Sequence, residues 1–94
     1  MKFKVGDIVD TVGGIIGAEI VFRHETIDRI YYLIIASEGI SIKDIKEENP
    51  NIDFSSLDKN KRCWITLEHE LKINIQYYRN KFLDEILRNL KLVT

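Results

Sequence analysis

Two histidines stand beside carboxylates, His24 before Glu25 and His69 between Glu68 and Glu70, and a single cysteine, Cys63, lies just upstream of the second group. Imidazole with carboxylate is the material of a zinc site or a general base. A thiol with a histidine is that of an activated nucleophile. The spacing supports none of these. No H-E-x-x-H pattern places two ligands on one helix face, His24 and His69 meet only if the fold brings them together, and no local motif puts a base beside Cys63. Cysteine next to Trp64 in a strand-like stretch reads as a small core residue. The expectation is a chain without catalytic residues, metal or cofactor, and so not an enzyme.

The second chemistry on offer is recognition through apolar and aromatic side chains. Trp64 and the tyrosines at 31, 32, 77 and 78 are the residue types of a groove that holds proline-rich peptides, and core packing explains most of them as well. Tyr78 falls in an apolar helical stripe. Tyr77 falls toward the polar side, where contact with a partner is a better reason for an aromatic ring. The stretch VGGIIGAEI, residues 12–20, sets two isoleucines between glycines where a turn ordinarily carries polar residues. At least one of Ile15 and Ile16 is expected to project and touch a partner, since two exposed isoleucines form a patch that needs a reason. Ile15, Ile16, Trp64 and Tyr77 are thus the expected partner-binding residues.

These residues need elements to position them. Phe3, Val5 and Ile8 alternate with Lys2, Lys4 and Asp7, which predicts a strand over residues 2–12 with a bulge at Gly6. The glycines at 13, 14 and 17 then allow a tight change of direction before a strand over 18–24. IYYLIIA, residues 30–36, is apolar at nearly every position, and a strand of that kind has both faces covered. Strands are predicted again at 62–66 and 71–73. From Ile75, with Asn74 as N-cap, Tyr78, Phe82, Ile86, Leu90 and Val93 recur with Leu83 and Leu87 at three- and four-residue spacing. That stripe predicts a C-terminal amphipathic helix over 75–92, with Asp84 and Arg88 paired on its polar face. The outer face of residues 30–36 is the expected surface for it to cover.

Residues 38–61 are the least legible, a mixed-charge insertion with the only proline, Pro50. Ser41 to Asp44 reads equally as a capping box opening a short helix and as the start of an alternating strand. Its charge runs at 43–48 and 58–62 are those of a solvated linker, with a docking loop as the other reading.

The 94 residues make one domain, with barrel strands in 1–37 and 62–74. Hydrophobic residues at 45% beside 31% charged describe a globular chain. No run approaches the roughly 20 apolar residues of a membrane span. The N-terminal residues lack a secretory pattern and one cysteine forms no internal disulfide, so a cytoplasmic location is expected. A net charge of −1 argues against a phosphate-binding surface.

V-G-D-I-V at 5–9, G-x-x-G-x-x-I at 14–20, Y-x-I at 32–34 and W-I-T-L-E-H-E-L at 64–71 together resemble the small SH3-like barrels, including KOW-type domains and short phage and bacterial proteins. The resemblance implies a mainly β (α+β) fold, a five-stranded antiparallel SH3-like barrel elaborated by the insertion and the C-terminal helix. It also implies a Trp strand leading through a one-turn helix to the last strand. The function it suggests is a non-catalytic protein-binding module, a phage- or mobile-element-encoded inhibitor or regulator of a host protein complex in the manner of anti-CRISPR proteins, acting in the host cytoplasm. The alternative is a KOW-like nucleic-acid or ribosome-associated domain, which requires Lys2, Lys4, Arg23, Arg29 and Arg79 to gather on one face.

Overall fold

The strand built from IYYLIIA is the axis of the molecule. In the computed structural model, which describes residues 3–93 and side chains from Phe3 to Asn89, five strands form one antiparallel sheet: β1 (Ile8–Thr11), β2 (Ala18–Glu25), β3 (Ile30–Ser41), β4 (Arg62–Leu67) and β5 (Leu71–Ile73), in the order β4-β3-β2-β1-β5. Two helices, α1 (Ile42–Glu48) and α2 (Ile75–Val93), complete a mainly β, α+β chain, and a single 3-10 turn, Glu68–Glu70, joins β4 to β5. Among the described residues no helix is long and apolar enough to cross a membrane.

Because side chains alternate along a strand, β3 feeds two cores. Tyr32 and Ile34 join Phe3, Val9, Ala18, Ile20 and Leu71 on one face. Leu33 joins Cys63, Ile42, Ile45, Phe54 and Leu57 on the other, with Ile35 packed against them. A shift in register between Ile20 and Phe22 keeps both residues of β2 paired with β3 while one enters the first core and the other packs against the second.

The strand is covered on both faces as expected, but the cover is not the C-terminal helix. The insertion supplies it, through Ile42 and Ile45 of α1 and Phe54 and Leu57 beyond it. Connectivity explains the difference. The insertion joins β3 to β4, the two strands it lies on, whereas α2 leaves from β5, at the opposite edge of the sheet. In α2 the stripe residues Phe82, Leu83, Ile86 and Leu87 are exposed, and the side chains of Leu90 and Val93 lie outside the described residues.

Two boundaries also differ. The first strand begins at Ile8, because Lys4–Asp7 form a turn in which Asp7 N–H donates to the Lys4 carbonyl at 3.1 Å and Lys4 N–H to Asp7 Oδ2 at 3.0 Å. Phe3 is nonetheless buried, edge-on to Tyr32 at 5.8 Å between ring centroids, its N–H donating to the Tyr32 hydroxyl at 3.1 Å. β3 runs on to Ser41 through a bulge: Ile35 and Ile40 both pair with Cys63, and of the residues between, Ser37 and Glu38 are exposed while Gly39 is buried. Gly39 closes that bulge against β4 so tightly that a Cβ there would collide with the Cys63 carbonyl, so no larger residue fits. Ser41 is the N-cap of α1 by position, yet its side chain makes no capping hydrogen bond. The short helix is held by burial of Ile42 and Ile45 instead.

Candidate interaction groove

The β1–β2 loop is folded back by its own polar groups, which leaves Ile16 facing outward while Ile15 packs against the first core. Gly14 and Gly17 take positive φ, 101° and 72°, as a tight loop demands. Thr11 N–H donates to the Ile15 carbonyl at 2.8 Å, and Ile15 N–H to Thr11 Oγ1 at 3.1 Å. Gly17 N–H donates to Asp10 Oδ1 at 2.9 Å, and the same oxygen accepts Asn74 Nδ2 at 2.8 Å. Asn74 is buried and caps α2, its Oδ1 accepting Tyr77 N–H at 2.8 Å. One asparagine therefore ties the loop, β1 and the start of α2 together. The Tyr78 hydroxyl, accepting Ile8 N–H at 3.0 Å, anchors the first turn of that helix a second time.

Held in this way, the loop forms one wall of a groove of about 260 Å³. Ile15, Ile16, Gly17 and Ala18 line it from the loop and the start of β2, Ala36, Ser37 and Glu38 from the β3 bulge, together with Ile35 and Trp64. Ile15 is half-buried against the first core, while Ile16 is 78% exposed. Trp64 is the register partner of Ile34 but lies on the edge strand, and it is 37% exposed. Three of the four residues expected to meet a partner thus meet one another. Tyr77 does not join them. It sits on α2, 43% exposed, with its ring edge-on to Tyr78 at 5.0 Å.

The remaining tyrosines do not gather around Trp64 either. Tyr32 is fully buried, and Tyr31 lines a separate apolar cleft of about 270 Å³ with Phe22, His24, Leu33, Ile45 and Ile65. The Trp64 groove is therefore not a ladder of aromatic rings: it combines isoleucine and alanine side chains with Gly17, Ser37 and Glu38. Glu38 is its one ionisable side chain, and neither Glu38 nor Ser37 stood out in the sequence. The signal was the small polar A-S-E-G interrupting two apolar runs at 36–39.

The residues with catalytic potential are kept apart. His24 faces the Tyr31 cleft, whereas His69 lines a groove of about 560 Å³ beside Glu25, Asp28, Arg29 and Glu68. Cys63 lines none of these. It is fully buried, and burial pushes its thiol up to about 11. Among the described residues no three His, Cys, Asp or Glu side chains come together as a metal site. The cations required by a phosphate-binding face lie on different elements. Arg23 is on β2, paired with Glu25 at 3.3 Å and hydrogen-bonded to Tyr32, which raises its already high pKa. Arg29 is in the β2–β3 turn and Arg79 on α2, while Lys2 lies outside the described residues.

Comparison with family models, with curated proteins and with solved structures gives no match to this chain.

Proposed function

We propose that the protein is a non-catalytic protein-binding module on an SH3-like barrel, and that the groove between the β1–β2 loop and the β3 bulge takes an extended apolar segment of its partner. The observation that carries this reading is the juxtaposition of Ile15, Ile16 and Trp64 in one groove. Five antiparallel strands, a glycine-bracketed loop after the first, and a Trp strand leading through one 3-10 turn to the last support the SH3-like assignment. Ile15, Ile16 and Ile35 beside Trp64 favour a Leu-, Ile- or Val-containing segment over a proline-rich one, and Ser37 and Glu38 favour a polar or basic neighbour in the ligand. A module of this kind acts by occupying a surface, which suits a small inhibitor or regulator of a larger complex, encoded by a phage or mobile element.

The test is selection of ligands from a displayed peptide library, followed by titration against variants. Ile16→Asp should weaken the selected peptides at least about tenfold, the loss of a contact worth about 1.4 kcal/mol. Its melting temperature should be unchanged, because the side chain contributes little to the core. Binding that tolerates both Ile16→Asp and Trp64→Ala would place the interface elsewhere. Binding of RNA or DNA oligonucleotides that weakens steeply with salt would favour the nucleic-acid reading instead.

A further inference from the structure

We infer that two copies of this chain pair edge to edge through β4, antiparallel about a two-fold axis at Ile65, so that their sheets run on as one. β4 ends the sheet, with β3 its only neighbouring strand among the described residues. An unpaired edge offers a row of backbone donors and acceptors to another strand, and proteins ordinarily blunt such edges with charged side chains, proline, bulges or brevity. The other edge, β5, is only three residues long. β4 has six, RCWITL, with a single charge, Arg62, at its start, and the residues in its middle, Trp64 and Ile65, are exposed.

Hydrogen bonds on either side of Ile65 show which way its backbone faces. Leu67 N–H donates to Glu70 Oε1 at 2.9 Å, so that donor is not spent on β3. The Tyr32 carbonyl does face β4, since it accepts Thr66 Oγ1 at 3.1 Å. Backbone groups of successive residues point to opposite sides of a strand. Thr66 and Trp64, register partners of Tyr32 and Ile34, therefore turn theirs to β3, and Ile65 directs its N–H and carbonyl to the open side.

The alternation allows antiparallel pairing of two copies about residue 64, 65 or 66, and the surroundings select among them. About Thr66, Ile65 would meet Leu67 of the other copy, whose N–H Glu70 already takes. About Trp64, Asp58 would face Glu70, like charge against like. About Ile65, the two isoleucines exchange N–H and carbonyl with their Cα atoms about 5.5 Å apart, and Arg62 of each copy faces Glu68 of the other. Lys59, Lys61 and Arg62 make one end of the strand basic, and Glu68 and Glu70 make the other acidic, so reversal brings opposite charges together at both ends. The guanidinium of Arg62 donates to the Gly39 carbonyl through Nη1 at 2.8 Å and keeps further N–H groups for a carboxylate. An extended segment of another protein would meet the same backbone groups. The charge pattern, which complements its own reverse as a two-fold interface requires, argues for a second copy. The inference does not rest on the ligand groove, which uses the side chain of Trp64 and not the backbone edge of its strand.

Sedimentation of the full chain from about 5 to about 500 µM, a range matched to a small interface, should show the mass rising from 11.0 kDa toward twice that value. Arg62→Glu and Glu68→Arg should each associate at least about tenfold more weakly, because each sets like charges opposite one another at both ends, and an equimolar mixture of the two should regain the dimer. Far-UV melting of each variant at low concentration separates loss of association from loss of folding. Should either reversal fail to fold, Ile65→Pro decides: proline removes an N–H that faces away from β3, which an edge strand tolerates, so the fold remains and the dimer is lost. A monomer at every concentration overturns the inference, as does a dimer that survives Ile65→Pro. Folded reversal variants whose mixture stays monomeric overturn the register. A monomer that instead binds an extended peptide, and loses it on Ile65→Pro, gives the edge to a foreign strand and overturns the second copy as its occupant.

Discussion

Cys63 shows how burial decides what a reactive residue type does. Its side chain lies within the second core, and desolvation raises the thiol from 9.0 to about 11. Between those values the unfolded thiol ionises while the folded one keeps its proton. The native state therefore binds more protons than the unfolded state there, and stability falls as pH rises from about 9 to about 11. Two pH units at about 1.4 kcal/mol each bound the loss at about 3 kcal/mol. Urea unfolding at about pH 8 and about pH 10.5 should show a smaller alkaline loss in Cys63→Ala than in the parent chain, since only the parent has this thiol to ionise. Equal losses would mean that the thiol is hydrated in the folded protein. Its environment was legible from its place beside Trp64 in a strand. The partner of that strand at Gly39 was not, because nothing local announces which backbone a glycine will touch.

At the scale of elements, the strands from β2 onward were readable because period-two alternation and continuous apolar runs are local properties of the chain. The cover of β3 was not. Amphipathicity in α2 declares that a face needs a partner without saying which, and the residues that do cover β3 are dispersed: Ile42, Ile45, Ile52, Phe54 and Leu57 lie among charges, turns and a proline, with helical spacing only over one turn. What joins them is the short path from β3 to β4. Phe54 packs against Phe22 at 4.9 Å between ring centroids. Phe54→Ala should therefore cost about 3–5 kcal/mol, the usual range for emptying a buried phenylalanine site. Phe82, 63% exposed on α2, is the control of the same chemistry, and Phe82→Ala should change stability by less than about 0.5 kcal/mol in dilute solution. Chemical denaturation of both variants at one low concentration decides between the two covers. A larger loss at Phe82 would return the C-terminal helix to the role the stripe first suggested.

At the scale of the whole molecule, fold and projecting helix are separable, and the separation can be located to within a turn. The last groups of α2 that hold the sheet are the Asn74 cap, which also binds Asp10, and the Tyr78 hydroxyl on Ile8. Beyond Arg79 the described side chains are exposed. A chain ending after Arg79 keeps both anchors and both cores, so its melting temperature should lie within about 2 °C of the full chain, less than the shift of roughly 4–8 °C that accompanies 1 kcal/mol in a domain this small. A chain ending after Asn74 loses the Tyr78 hydrogen bond and the capped turn. That removes roughly 1 kcal/mol from a total of only several, which predicts a melting temperature about 4–8 °C lower. The two truncations, melted side by side, distinguish anchoring from packing. If both unfold together, the distal helix is bound to the sheet after all. If neither shifts, Tyr78 is not an anchor.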